Sequence, residues 1–183
     1  MAYIPVIEPD QAKGALKETY AQAERRTGRV FNILKIMSQS PSALRSSMDL
    51  YLAIMFGKSS LSRAQREMLA TVVSATNGCH YETQAHGADF RGEVQNAKQA
   101  EALKKDWREA DLTEIDEALC AWAEKLTRYP HSVANADVTE LQAAGLSPEA
   151  ISDAAQVIGY FNYINRIADG LGVDLEPEMP PVP

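Results

Sequence analysis

Four side chains that can take part in chemistry lie within one twenty-residue stretch: Glu67, Cys79, Glu82 and His86. In a helix that begins at about Cys79, the residues Cys79, Glu82 and His86 share one face. Glu67 belongs to the preceding helix, and the Asn77–Gly78 pair between the two helices predicts a chain reversal. Antiparallel packing of the two helices would then bring Glu67 closer to His86 than to Cys79. The stretch therefore predicts a cluster of two carboxylates, an imidazole and a thiol.

One chemistry for this cluster uses Cys79 as a nucleophile. At a helix N-terminus, unpaired N–H groups and the helix dipole favour negative charge, so we expect a lowered pKa for the Cys79 thiol. The neighbouring Glu82 carboxylate acts in the opposite direction, because a like charge raises the pKa of a thiol. A Cys79 thiolate would attack a hydroperoxide oxygen, and His86 or Glu82 would protonate the leaving alkoxide. An external thiol would then reduce the resulting sulfenic acid.

A second chemistry does without the thiol. Glu67 and Glu82 beside His86 would form a proton-transfer site, since two neighbouring carboxylates tend to hold one proton between them. The same three side chains form a two-carboxylate, one-histidine set that resembles a metal site, but the sequence does not fix the distances between them. We therefore predict catalytic roles for the four cluster residues, and neither a metal nor a cofactor.

The elements that must position the cluster are helices. Apolar residues recur at helical spacing along almost the whole chain, and Gly and Pro fall between the periodic segments. Helix starts are predicted at Asp10, at Ser40–Pro41, at Ser62 with Gln65 as a capping box, and at Ser147–Pro148. The expected helices cover about 10–27, 30–37, 41–56, 62–77, 79–92, 93–104, 113–129, 138–144 and 148–169.

These segments predict an all-α fold in a single domain. An N-terminal helical arm covers about residues 1–58, and the core that carries the cluster covers about 59–173. A proline-rich tail, 174–183, is expected to be extended and to cross to a neighbouring subunit.

Composition excludes several classes of protein. The 183 residues carry 18 Lys plus Arg against 25 Asp plus Glu, a net charge of −7, so a nucleic-acid partner is not expected. No apolar run approaches the roughly 18 residues of a membrane span, and the N-terminus lacks the pattern of a signal peptide. Two cysteines, Cys79 and Cys120, do not form a secreted disulfide scaffold, so a cytoplasmic location is expected.

The stretch resembles the AhpD-like alkylhydroperoxidase and carboxymuconolactone decarboxylase superfamily. Glu67, Cys79 and His86 match the spacing of its motif, and NGCHY with AHGADFRG is similar to the peroxidase-related branch. The last predicted helix, VIGYFNYINRIADGLGV, also resembles that branch. The resemblance implies an AhpD-like bundle of about nine helices, homo-oligomers (a dimer or hexamer) and hydroperoxide reduction.

The sequence departs from the family motif at one position. Where the motif carries a second cysteine, which the resemblance implies is the one attacked by peroxide, this chain has Glu82. We therefore expect an oxidoreductase that reduces hydroperoxides through Cys79 alone, assisted by Glu67, Glu82 and His86 and by an external thiol. Two alternatives remain open: an acid–base lyase or isomerase that acts on a small organic acid, and a non-catalytic helical oligomer that lost the redox centre.

Overall fold

The helices follow the apolar periodicity of the chain. The structure is a computed structural model that describes residues 2–182; Met1 and Pro183, which end the expected arm and tail, lie outside the described residues. Within this range the chain forms nine α-helices and no strand, which confirms the all-α prediction. They are α1 (Gly14–Thr27), α2 (Asn32–Lys35), α3 (Pro41–Phe56), α4 (Arg63–Asn77), α5 (His80–Val94), α6 (Ala97–Lys105), α7 (Glu114–Arg128), α8 (Asn135–Ala143) and α9 (Pro148–Leu171).

The capping signals around α4 work as the sequence predicts. The Ser62 hydroxyl accepts from the Gln65 N–H at 3.1 Å, and the Gln65 side chain accepts from the Ser62 N–H at 3.0 Å. Gly78 ends the helix in the left-handed region with φ 72°, which a residue with a Cβ rarely adopts. These two ends fix the length of α4 and the position of Glu67 in its second turn.

Some helix boundaries differ from the sequence prediction. Asp10 does not cap α1, which begins four residues later at Gly14 after an extended Lys13. The break between α5 and α6 also lies later than expected, because Gln95 adopts the left-handed region with φ 52° and ends α5 there. The Asn96 side chain then accepts from the Gln99 N–H at 3.1 Å and starts α6.

Helix α4 lies at the centre of the packing. It contacts α5, α7 and α9, and nine consecutive residues of it, 66–74, are buried. Met68, Leu69 and Val73 supply apolar contacts, and Phe161 of α9 is fully buried against the same core. Because α4 is enclosed in this way, its polar residue Glu67 is withdrawn from water and requires partners inside the protein.

Residues 174–182 of the C-terminal tail pack against their own chain, and the expectation that the tail crosses to a neighbouring subunit stays a prediction. The buried Glu176 carboxylate accepts from the Asn32 N–H and from the Tyr81 hydroxyl, both at 2.6 Å. His80 Nε2 lies 2.8 Å from the Pro180 carbonyl oxygen. These contacts hold the tail against its own chain, and the expected oligomer stays a prediction.

Replacing Glu176 with alanine should lower the free energy of unfolding by about 2 kcal/mol, because it leaves the Asn32 N–H and the Tyr81 hydroxyl without their acceptor. Glu178→Ala is the control, since the Glu178 side chain is 57% exposed and pairs only with Arg29, so its loss should be much smaller. Urea denaturation of the two variants measures the difference. Equal losses would contradict the assigned role of Glu176.

In the part of the chain that the structure describes, none of the helices combines the length and the apolar character needed to cross a membrane.

Candidate active site

The reversal at Gly78 places the second turn of α4 beside the middle of α5. As the sequence predicts, Glu67 lies next to His86, with 2.6 Å between Glu67 Oε2 and His86 Nδ1. On the other side of the ring, His86 Nε2 lies 3.3 Å from Glu82 Oε2, one helical turn earlier on α5. The imidazole is therefore held between two carboxylates, an arrangement called the Glu–His–Glu row below.

The row is withdrawn from water. The side chains of Glu67, Glu82 and His86 are each at most 7% exposed. Arg63, one turn before Glu67 on α4, forms an ion pair with the second carboxylate oxygen of Glu67. Arg63 also donates to the Met55 carbonyl oxygen at 2.6 Å. The buried carboxylate of Glu67 thus has two cationic or polar partners, which offsets the cost of removing its charge from water.

The two carboxylates control the protonation of His86. Burial by itself lowers the pKa of the imidazole, but the charge and hydrogen bond of Glu67, together with Glu82, outweigh burial and hold the pKa well above the ordinary value of 6.5. His86 is therefore an imidazolium at neutral pH, and both ring nitrogens carry a proton. Nδ1 donates to Glu67, and Nε2 presents its proton on the side of Glu82.

This raised pKa predicts a pH dependence of stability. A group with a raised folded-state pKa contributes fully below its unfolded-state pKa, and the contribution is lost as the pH rises through the folded-state value. We expect the free energy of unfolding to fall above a pH of about 6.5, with a slope of at most about 1.4 kcal/mol per pH unit from His86. Urea denaturation over a pH series measures this slope.

Glu67→Gln should flatten that slope, because it removes the main group that raises the pKa of His86. His131→Gln is the control, since His131 is exposed and should leave the slope unchanged. An identical pH dependence in the parent and in Glu67→Gln would show that Glu67 does not hold the proton on His86.

A cleft of about 930 Å³ opens onto one end of the row. Glu82 and His86 line it, together with the apolar and aromatic side chains Met48, Tyr51 and Phe161. Glu67 is fully buried and is not among the lining residues. A molecule in the cleft can therefore reach Glu82 and His86, whereas Glu67 acts on it only through His86.

The structure does not bring Cys79 to the cleft with the other three predicted residues. Cys79 is the residue before α5, is fully buried, and is absent from the lining of the cleft among the described residues. The expectation of a lowered pKa is wrong: burial raises the pKa of the Cys79 thiol, and the carboxylates of Glu82 and Asp169 raise it further. Desolvation outweighs the helix N-terminus here. Cys120 on α7 is also buried with a raised pKa.

Two polar residues of the site were not singled out from the sequence. Arg63 precedes Glu67 by four residues and Asp89 follows His86 by three, so helical spacing alone places each beside the row. Burial and the charge of Glu67 raise the pKa of Asp89. Ligand atoms of Glu67, His86 and Asp89 lie within 4.8 Å of one another, a set that could surround a metal ion and that differs from the one considered above. A metal ion at this set would have to displace a proton from His86, because a protonated imidazole offers no lone pair.

The comparisons with known proteins agree with this architecture. Residues 41–125 match the family model described as the carboxymuconolactone decarboxylase family. A peroxidase-related protein from Silicibacter sp. TM1040 is 29% identical with a TM-score of 0.89, over 97% of this chain and 93% of that chain. A protein from Ralstonia eutropha JMP134, described as an alkylhydroperoxidase AhpD core and as peroxidase-related, is 25% identical with a TM-score of 0.90, over 97% and 93%.

A more distant structure has the same fold. The debrominase Bmp8 is 19% identical with a TM-score of 0.79, over 94% of this chain and 91% of that chain. A comparison with curated protein sequences gives no match. The fold is an all-α helical bundle of the AhpD-like class. Residues 41–125 are thus similar to the carboxymuconolactone decarboxylase family, and the chain as a whole is similar to structures described as peroxidase-related.

Proposed function

We propose that the protein is an acid–base enzyme, a lyase or isomerase that moves a proton to or from carbon in a small organic molecule. One observation carries the proposal: the His86 ring lies between two carboxylates, and only the outer pair, Glu82 and His86, faces the cleft. A carboxylate and an imidazole side by side at one end of a cleft can supply the base and the acid that proton-transfer catalysis requires.

In this proposed mechanism, each member of the row has a different role. Glu82 is the base, because its carboxylate lines the cleft and can take a proton from a substrate carbon. His86 is the acid, since its Nε2–H can stabilise the negative charge that develops on a neighbouring carbonyl oxygen. Return of the proton from Glu82 to a different carbon completes an isomerisation. Glu67 is a positioning residue that fixes the charge and orientation of the imidazole, and Arg63 holds Glu67.

Hydroperoxide reduction through Cys79 is the second candidate function. Its support is that Cys79 lies at the start of the helix that carries Glu82 and His86, and that similar structures are described as peroxidase-related. Full burial and the raised pKa of the thiol weigh against it, because a hydroperoxide must reach the sulfur and the thiolate is the reactive form. This route requires a local opening at the start of α5.

Solvent-deuterium incorporation followed by NMR distinguishes the two candidates. The probes are organic molecules with an activated C–H, namely unsaturated lactones and 2-oxo and 3-oxo acids, and a parallel assay measures cumene hydroperoxide reduction with dithiothreitol. We expect the parent and Cys79→Ala to exchange deuterium at similar rates and Glu82→Gln to lose the activity. Glu93→Gln is the matched control, since Glu93 lines the cleft from the same helix but lies outside the row.

The opposite pattern would overturn the proposal. Hydroperoxide turnover that disappears in Cys79→Ala, together with no deuterium exchange by the parent, would assign the thiol route instead.

A further inference from the structure

A run of aromatic rings leads from the Glu–His–Glu row to the outer part of the cleft. Phe161 contacts His86 edge-on with 4.5 Å between ring centres, and Tyr160 lies 5.4 Å from Phe161. Tyr51 follows at 5.8 Å from Tyr160, and Phe56 at 5.8 Å from Tyr51. Phe56 is 52% exposed, so the run begins at the proton-transfer groups and ends at solvent.

Two guanidinium groups lie over the outer end of this run, and only one of them forms an ion pair in the described part of the chain. Arg63 lies 3.8 Å from the ring centre of Phe56 and is paired with Glu67. Arg26 of α1 lies 5.4 Å from Phe56 and 5.6 Å from Tyr51. Within residues 2–182, the Arg26 side chain forms no ion pair or hydrogen bond, and its nearest acidic influence is the Asp89 carboxyl, which lines the same cleft and whose pKa the charge of Arg26 lowers. Its five N–H donors are therefore available to a ligand in the cleft.

Each of the other cations that line the cleft either forms an ion pair or lies away from the aromatic rings. Arg29 pairs with Glu178, and Lys104 pairs with Glu101. Arg91 has no ion pair in the described part of the chain, but it makes no contact with the aromatic rings there. In a chain of net charge −7, an unpaired guanidinium seated on two rings above a catalytic cleft is a feature that favours anions.

We propose that Arg26 is the residue that selects the substrate, and that it selects a carboxylate attached to a planar body of about one ring. Tyr51 lies 5.6 Å from the Arg26 guanidinium carbon and 6.3 Å from the His86 ring, so a single aromatic ring links the guanidinium to the imidazole. The guanidinium fork accepts a carboxylate through two parallel hydrogen bonds. The inference rests on the proposed function for which part of the bound molecule reacts, namely the part next to Glu82 and His86. Arg26 itself lies outside residues 41–125, which match the family model.

Calorimetric titration with benzoate and its neutral analogue benzamide tests the proposal without requiring turnover. The parent should bind benzoate about tenfold more tightly than benzamide, and added salt should weaken the binding of benzoate but not that of benzamide. Arg26→Gln should remove the preference: the affinity for benzoate should fall about tenfold, and the affinity for benzamide should stay the same. Arg26→Lys should keep part of the preference, since it retains the charge without the fork. Arg91→Gln, which removes the same charge from the same cleft, should keep all of it.

The result separates this inference from the proposed function. If no proton-transfer activity is found but the benzoate preference depends on Arg26, the anion site stands and the proposed function fails. Equal affinities of the parent for the two probes, a failure of both to bind, or a preference that survives Arg26→Gln would overturn the proposal. A preference lost in Arg91→Gln instead would assign the anion site to Arg91.

Discussion

Replacing His86 with alanine should lower kcat/KM for the proton-transfer reaction about 10³-fold, a loss typical of removing a positioned general acid. His86 lies between the two carboxylates of the row, so the substitution removes the proposed proton donor at the cleft. It also leaves the Glu67 carboxylate buried with Arg63 alone. Steady-state kinetics with a substrate identified by deuterium exchange measure the loss.

Two controls separate catalysis from folding in this experiment. His131→Ala should leave kcat/KM unchanged, because His131 is exposed in the short turn Pro130–Ser132. Added imidazole should restore part of the activity of His86→Ala, since the substitution opens space beside Glu82. A His86→Ala variant that is folded and retains kcat/KM within a few-fold of the parent would show that the row is structural.

The pairing inside the row was predictable from local rules. Glu82 and His86 are one turn apart on a helix, and the Asn77–Gly78 reversal folds α4 back along α5, so Glu67 had to approach the later part of α5. Both relations follow from helical periodicity and from one left-handed glycine. Neither depends on residues far away in the sequence, which is why the structure confirms them.

The environment of Cys79 was not predictable in the same way. The rule for helix N-termini concerns the orientation of N–H groups, but the pKa of a thiol also depends on what covers it. Here the end of α9 brings Asp169 near the sulfur, and burial has the largest effect on the pKa of the Cys79 thiol. A contact between residues ninety positions apart leaves no local pattern in the sequence.

The packing of the tail and of the cleft was also not predictable from local sequence patterns. The prolines of residues 174–183 predict an extended segment, but its direction depends on one buried carboxylate, Glu176, that meets Asn32 and Tyr81. Likewise, Arg26 of α1 reaches the aromatic run of α3 only through tertiary packing. Periodicity indicates which face of a helix is buried, whereas the partner of that face is decided by the whole fold.

Glu82→Cys should remove the proposed proton-transfer activity and introduce hydroperoxide reduction. The substitution removes the proposed base, so deuterium exchange should be lost, and it places a thiol in the cleft next to the His86 imidazolium, which lowers the pKa of a neighbouring thiol. The introduced thiolate can attack a hydroperoxide directly and become a sulfenic acid. Cys79, three residues earlier, can then condense with it to form a disulfide and water, and dithiothreitol reduces the disulfide.

We expect Glu82→Cys to reduce cumene hydroperoxide at least about tenfold faster than the parent, because the reactive sulfur moves from a fully buried position to the cleft. Glu82→Ser is the matched control: it also removes the carboxylate but supplies no thiol, so it should remain at the parent's rate. Adding Cys79→Ser to Glu82→Cys should preserve the first attack and block the disulfide, so that the sulfenic acid accumulates and can be trapped with dimedone. If Glu82→Cys is no faster than Glu82→Ser, then access to the cleft does not limit thiol chemistry in this fold. In that case, the burial of Cys79 would no longer be an argument against the hydroperoxide route in the parent.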